Sequence, residues 1–347
     1  MMATHPRPEE TTTRSKYKFS LFRGRKFTGI WPSQAGTVAL LSGIALLTFC
    51  FAASGWAGDK KVVGAILLNL RSPFLHAVGE ALNAEADRLG IELISLDPAR
   101  GVATELEQVK NLIARKVDLI IMVPVDQRTS QTAARLVNQA GIPLLFLKTE
   151  LADDFFSGGG RIVAYVGSDD TLAGQIEGEY LADKLPEGGN VVYLVVKYGS
   201  SATELRKAGF ELVMKDHPNL RIVSEFQANA LMSNSKTIME NLLKKYPKGQ
   251  LQALVAQNDE MAIGASSAIQ AADRLGEFKV LIGIDGLKGG LDAVADGTLT
   301  ATVFQDAIGQ GTQAMIVASK VLAGERVAPR FLFPFKLVTK ENVASFQ

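Results

Sequence analysis

The sequence predicts an α/β protein of two doubly wound lobes, each a parallel sheet covered on both faces by helices. Three observations predict it. From Lys61 onward, strand-like apolar runs alternate with helical patterns at intervals of roughly 25 to 30 residues. The alternation comes in two series, separated by an irregular stretch that carries Gly158-Gly159-Gly160. The chain has 347 residues, 47% apolar and 21% charged, which is room for about two packed domains and the composition of a folded chain.

In the first series, Val62–Leu68 reads as a buried strand, and Phe74, Val78, Ala81, Leu82 and Leu89 repeat at helical spacing after it. Strand Glu92–Leu96, helix Val102–Arg115, strand Leu119–Val123, helix Thr129–Ala140 and strand Pro143–Leu147 follow, with Gly141 and Pro143 ending the third helix. Leu151–Arg161 breaks the rhythm and is expected to be a loop or irregular edge near a lobe boundary; Ile162–Val166 is extended again.

The second series runs helix Thr171–Leu185, strand Val191–Val195, helix Ala202–Asp216, strand Arg221–Phe226, helix Ser235–Tyr246, strand Leu251–Ala256, helix Glu260–Ala272 and strand Val280–Ile284. A short helix near Leu291–Ala295, a strand Ala301–Phe304, a long helix Ile308–Leu322 and one extended segment Phe333–Val338 close the chain. These late pieces need not belong to the lobe they follow.

Charge divides the chain unevenly. Residues 1–57 hold seven Lys and Arg against Glu9 and Glu10, which leaves 30 Lys and Arg against 34 Asp and Glu in the remainder. That balance gives no electrostatic ground for nucleic-acid binding. The single cysteine, Cys50, lies in the apolar N-terminal run, so no disulfide framework or cysteine metal site is expected.

Basic residues 14–26, the uncharged run Ala35–Ala53 and small residues around Ser54, Gly55 and Ala57 follow the order of a secretory signal, with cleavage expected after Ala57. Residues 1–57 are therefore read as a signal peptide and the rest as a periplasmic protein. Other readings stay open: an uncleaved anchor, which would make the chain a membrane-tethered ligand-sensing module, or a lipoprotein site at Cys50, although Phe49 is bulky where a small residue is expected. Each of them exports the remainder.

Several motifs resemble the type I periplasmic binding proteins, and among them the ribose-binding group of sugar receptors. The most specific is Ala256–Gly264, AQNDEMAIG. Supporting it are Ser72-Pro73-Phe74, Val166-Gly167-Ser168-Asp169, Arg206 before Ala208-Gly209-Phe210, Gly283-Ile284-Asp285-Gly286 and Thr302-Val303-Phe304-Gln305, and the likeness covers nearly all of Lys60–Lys340. The resemblance implies a three-stranded hinge, with crossings near Val166–Ser168, Gln305–Asp306 and Pro334–Phe335. It places residues 58–166 and 306–334 in the N-terminal lobe and 167–305 and 335–347 in the C-terminal lobe. It implies a solute between the lobes, and the general rule that open α/β sheets bind ligands beyond the carboxyl ends of their strands puts it in the same place.

A sugar offers hydroxyls in its ring plane and C–H patches on its faces, so a receptor needs planar hydrogen-bonding side chains and an aromatic wall. The expected ligand contacts are Ser72, Phe74, Lys148, Arg206, Asn258, Asp285 and Gln305. Each has a plainer reading. Arg206 could be a solvated helix arginine, Asn258 an N-cap with Asp259 as the other candidate, and Asp285 a turn former. Phe74 could be simple core and Gln305 a hinge hydrogen bonder. Where ribose receptors carry an aspartate followed by arginine, this chain has Lys148-Thr149, and two of their stacking aromatics give way to Leu75 and to Ala230 or Leu231. Ribose itself is thus in doubt. Lys148 with Arg206 could favour a sugar acid, or Glu150 or Asp285 could neutralise the lysine.

The resemblance implies the solute-binding component of an ABC transporter, a monomer that hands a sugar, polyol or sugar acid to a permease in the inner membrane, with a chemoreceptor as a further candidate partner. No cofactor, metal or catalytic group is expected, because His76 and His217 sit in no nucleophile–base or metal-ligand spacing. A transcriptional repressor sharing this core would begin with a basic helix-turn-helix instead of an apolar export run.

Overall fold

The computed structural model describes residues 60–347, so the expected signal peptide and its cleavage point lie outside the described residues. The chain runs β1 (Val62–Leu67), α1 (Pro73–Leu89), β2 (Glu92–Leu96), α2 (Val102–Ala114), β3 (Leu119–Val123), α3 (Gln131–Gln139), β4 (Leu144–Leu147), α4 (Asp153–Ser157) and β5 (Ala164–Gly167). It continues through α5 (Asp170–Lys184), β6 (Gly189–Val195), α6 (Ser201–Met214), β7 (Leu220–Gln227), α7 (Met232–Lys245), β8 (Ala253–Ala256), α8 (Asp259–Ala271) and β9 (Val280–Asp285). Last come α9 (Lys288–Asp296), β10 (Ala301–Phe304), α10 (Ala307–Leu322), β11 (Arg330–Leu332) and β12 (Lys336–Thr339).

The strands form two six-stranded sheets, ordered β11-β5-β4-β3-β1-β2 and β12-β10-β9-β8-β6-β7. All neighbours are parallel except β12, which runs antiparallel to β10. This is the expected α/β class with two doubly wound lobes. Strands covered on both faces must be apolar throughout, and β3, Leu-Ile-Ile-Met-Val, is buried at all five positions.

The chain passes between sheets three times, between Gly167 and Asp170, between Phe304 and Ala307, and between Leu332 and Lys336. After the second passage α10 returns to the first lobe, where Ala314, Met315 and Ala318 share a core with Val78 and Leu82 of α1.

Two expectations are corrected. The Leu151–Arg161 stretch is not wholly irregular. It contains α4, which Asp153 and Asp154 favour at a helix N-terminus and which Phe155 anchors, its ring 6.0 Å from that of Phe146. The final extended segment is in fact two strands in different sheets: β11 extends the first and β12 the second, with Pro334 between them. A three-residue edge strand with Arg330 and Leu332 outward carries no periodic apolar signal.

In the second lobe α5 and α6 cross at glycines. A Cβ on Gly209 would run into the carbonyl oxygen of Thr171, and one on Gly174 into that of Arg206. Gly209→Ala therefore forces backbone apart, at about 1–3 kcal/mol, and its melting temperature should drop by several degrees in calorimetry. Melting unchanged from wild type would contradict this close approach.

Candidate functional site

The loops leaving the carboxyl ends of strands in both sheets meet around one cavity. In the first lobe it is lined by Ser72 and Phe74 after β1, Arg100 after β2, Asp126 after β3 and Lys148 after β4. The second lobe adds Lys197 and Arg206 after β6, Ala230 after β7, Asn258 after β8 and Asp285 at the end of β9. Six of the seven expected contacts, Ser72, Phe74, Lys148, Arg206, Asn258 and Asp285, thus share one cavity.

Gln305 does not line it. It stands one residue behind, 1% exposed, with Oε1 accepting from Arg206 Nη2 at 3.4 Å and Nε2 donating to no protein group among the described residues.

Arg206 is 3% exposed and neither solvated nor free. Its Nε donates to Asp170 Oδ1 at 2.7 Å and its Nη1 to the carbonyl of Gln257. Gln257 is itself fully buried; it accepts from the Val196 amide at 3.2 Å and donates to the Thr203 carbonyl at 2.9 Å. The guanidinium therefore joins the start of α5, the end of β8 and the second hinge passage. Burial pushes the Asp170 carboxyl up, but Arg206 and then Lys148 outweigh it and hold the group below its ordinary value.

Asn258 turns out to be both cap and lining. Its Oδ1 accepts from the Met261 amide at 3.1 Å, which leaves the amide NH2 to the cavity. Asp259, the other candidate cap, points inward instead: Oδ2 accepts from the Gly286 amide at 2.8 Å and Oδ1 from the Thr302 hydroxyl at 2.7 Å. It fixes the turn that presents Asp285.

Asp285 is 6% exposed, and its carboxylate accepts no hydrogen bond among the described residues. Burial pushes it up to about 7 against the opposing pull of Arg206 and Lys148. Lys148 extends from the first lobe with Nζ 5.8 Å from the centre of the Phe74 ring. Burial lowers it below its ordinary value, and Asp170 and Asp285 offset part of the effect of burial and of Arg206. Glu150 does not neutralise Lys148, because both its oxygens are taken by Arg330 at 2.9 and 2.8 Å. Phe74 is core and lining at once, 2% exposed, and is the only aromatic side chain lining the cavity among the described residues.

Four lining residues, Arg100, Lys148, Ala230 and Asp285, hold positive φ of 66°, 62°, 55° and 133°. Backbone strain of about 1–3 kcal/mol per residue persists only where surrounding structure enforces it, and it concentrates at functional sites. Sequence reading missed Arg100, Lys197 and the Asp170 partner of Arg206. The only local sign of Asp170 is its doubling with Asp169, which caps α5 by accepting from the Thr171 amide at 3.0 Å.

Comparison with known proteins points the same way. A family model described as a periplasmic binding protein domain matches residues 63–326. The ribose import binding protein of Escherichia coli K12 is 33% identical over 282 residues, 81% of this chain and 92% of that protein. A xylitol-binding protein of Mycolicibacterium smegmatis is 30% identical, over 90% of this chain and 87% of its own. An ABC transporter solute-binding protein of Bacillus halodurans, solved with bound myo-inositol, superposes with a TM-score of 0.77 at 33% identity, covering 83% of this chain and 98% of that one.

The geometry makes two predictions. Arg206→Met leaves Asp170 buried without its partner and should destabilise the fold by about 3–5 kcal/mol in chemical denaturation; a loss below 1 kcal/mol would mean that the pair is solvated. Asp285 stands at about 7 when folded, against about 4 unfolded. Between those values the native state keeps a proton that the unfolded chain gives up, so this group's contribution to stability is complete below pH ~4 and is lost as pH rises to ~7. Urea midpoints at pH 5 and 7 should differ less in Asp285→Asn than in wild type, and an equal difference in both proteins would show that Asp285 titrates ordinarily.

Proposed function

We propose, from the premise that this chain belongs to the periplasmic binding protein family, that it is an exported receptor: it captures a polyhydroxylated solute between its lobes and delivers it to an ABC permease. The observation that carries this reading is the shared cavity. Ser72, Phe74 and Lys148 approach it from one lobe, and Arg206, Asn258 and Asp285 from the other. A solute touching both sets is bound best when the lobes are close. It shifts the hinge equilibrium by the difference between its affinities for the closed and open forms.

The free groups suit hydroxyls. Asp285 accepts, Lys148 and the Asn258 amide donate, and the Ser72 hydroxyl does either. Phe74 is the aromatic group at the cavity wall that C–H groups could meet. The ligands for which these relatives and this neighbour are named, ribose, xylitol and myo-inositol, span a pentose, an acyclic polyol and a cyclitol. They support the class of solute and leave its member open. The relatives are binding proteins, which supports a receptor without catalysis. The basic and apolar order of residues 1–57 supports export to the periplasm.

A thermal-shift screen against pentoses, hexoses, polyols, cyclitols and their acids tests the reading, since a ligand at a hundred times its Kd adds about 2.7 kcal/mol to stability. For the solute found, Asp285→Ala should remove a charge-assisted hydrogen bond of about 1.5–3 kcal/mol, which is roughly 10- to 150-fold in Kd by calorimetry. Undiminished affinity would place the solute elsewhere.

A further inference from the structure

We propose that the cleft selects a monoanionic sugar derivative, a polyhydroxylated solute bearing one carboxylate, with Arg100, Lys148 and Lys197 as the cations that recognise its charge. The proposal rests on the reading of the cleft as a solute receptor and names the class of solute.

The charges around the cavity do not cancel. Arg100, Lys148, Lys197 and Arg206 line it against Asp126 and Asp285, and Asp170 lies directly behind Arg206, so one positive charge is left over. The internal pairing sharpens the imbalance. Arg206 and Asp170 neutralise one another at 2.7 Å. Asp126 is engaged in its own turn, accepting from the amides of Arg128 and Thr129 at 3.0 and 2.9 Å and from the Thr129 hydroxyl at 3.0 Å. Among the described residues, the side chains of Arg100, Lys148 and Lys197 enter no hydrogen bond or ion pair within contact distance. Lys197 acts at longer range on Asp126 and Lys148 on Asp285, which leaves Arg100 as the cation that no carboxylate answers.

Donor count leads to the same class. A hydroxyl both donates and accepts, whereas a carboxylate only accepts. Besides the three cations, Ser201 and Ala202 line this cavity at the start of the 14-residue α6, and their backbone N–H groups donate to no acceptor among the described residues. Unsatisfied N–H groups at a helix N-terminus favour an anion. The free donors exceed the free acceptors, and a carboxylate on the solute redresses the balance.

Arg100 is held in place at a conformational cost. Its φ of 66° follows that of Ala99 at 49°, two left-handed residues in succession. Asp97 braces this turn, accepting from the Leu70 amide at 3.1 Å and the Ala99 amide at 2.7 Å, and the Arg100 amide donates to the Leu68 carbonyl at 2.9 Å. Burial lowers the guanidinium below its ordinary value, and no opposing charge offsets it. A half-buried arginine on a strained turn, without a counter-charge, is a side chain presented to a partner from outside the chain.

Calorimetry on protein expressed from the full-length chain tests the proposal, using pairs of matched skeleton in which a carboxylate replaces one CH2OH: glucose with glucuronate and galactose with galacturonate as rings, and xylitol with xylonate and ribitol with ribonate as open chains. The tightest binder should be an acid, at least tenfold tighter than its neutral partner. Raising sodium chloride from 50 to 500 mM should narrow that ratio, and so should Arg100→Gln and Lys197→Gln; Arg100→Lys should restore more of it than Arg100→Gln. A neutral sugar binding as tightly as its acid, or a ratio indifferent to salt and to both substitutions, would overturn the anionic class while leaving the receptor intact. Heat from no sugar of either kind would overturn the receptor reading together with it.

Discussion

The second lobe is organised around one buried ion pair. Arg206 and Asp170 are each about 4% exposed in their side chains, and taking two such charges out of water costs several kcal/mol per ion unless their remaining hydrogen-bonding capacity is met. The surrounding residues meet most of it. Gln257 offers a carbonyl and Gln305 an amide oxygen to the guanidinium, and Gln257 is itself held by Val196 and Thr203. The partners come from α5, β8 and the hinge passage after β10, so the pair couples cavity wall to hinge. An arginine with its fork already engaged positions the site more than it reads charge, and the reading of charge falls to the cations without partners.

The same local device recurs at two helix starts. At Asp169-Asp170 and at Asn258-Asp259 the first residue caps the helix and the second turns into the protein interior. Capping residues adopt extended backbone while the next residue is already helical, so consecutive side chains diverge, one along the helix end and one toward the core. At the first pair the inward aspartate meets Arg206. At the second it meets Thr302 and the Gly286 amide, and Gly283 and Gly290 leave the room it needs, since a Cβ on either would collide with it. Asp259 therefore shapes the turn at Asp285 without touching the cavity.

How much of this was legible in the sequence depended on range. Helices and buried strands carry their signal locally, and β3 or α8 could be bounded within a residue or two because apolar runs, glycines and caps bracket them. β11 could not, because three residues at an edge, two of them outward, are recognisable only through pairing with β5, more than 160 residues earlier. The site divides in the same way. Motif likeness found Asn258 and Asp285, yet it could not tell which of Asn258 and Asp259 would cap. Arg100 and Lys197 carried no motif, and their relevance appears only once the loops after β2 and β6 are folded against each other. Gln305 was drawn to the cavity by its neighbourhood in sequence, whereas its contact with Arg206 keeps it one residue behind the wall.

The distribution of free charge over the two lobes bears on how such a receptor closes. Only contacts that differ between open and closed forms can move the hinge. Lys148 and Arg100 belong to the first lobe, and Asp285 and Lys197 to the second. Lys148 and Asp285 attract across the gap, as the opposite pull of each on the other's protonation indicates. Lys197 likewise attracts Asp126 of the first lobe, whereas Arg100 meets no opposing charge. A carboxylate on the solute would supply the charge that Arg100 lacks and could draw on Lys197 from the other lobe, and a neutral hydroxyl would do so far less. A solute that supplies the missing charge would therefore gain affinity specifically in the closed form, where the low dielectric strengthens each interaction. On that ground, discrimination between an acid and its neutral partner belongs to the closing step more than to first contact with either lobe alone.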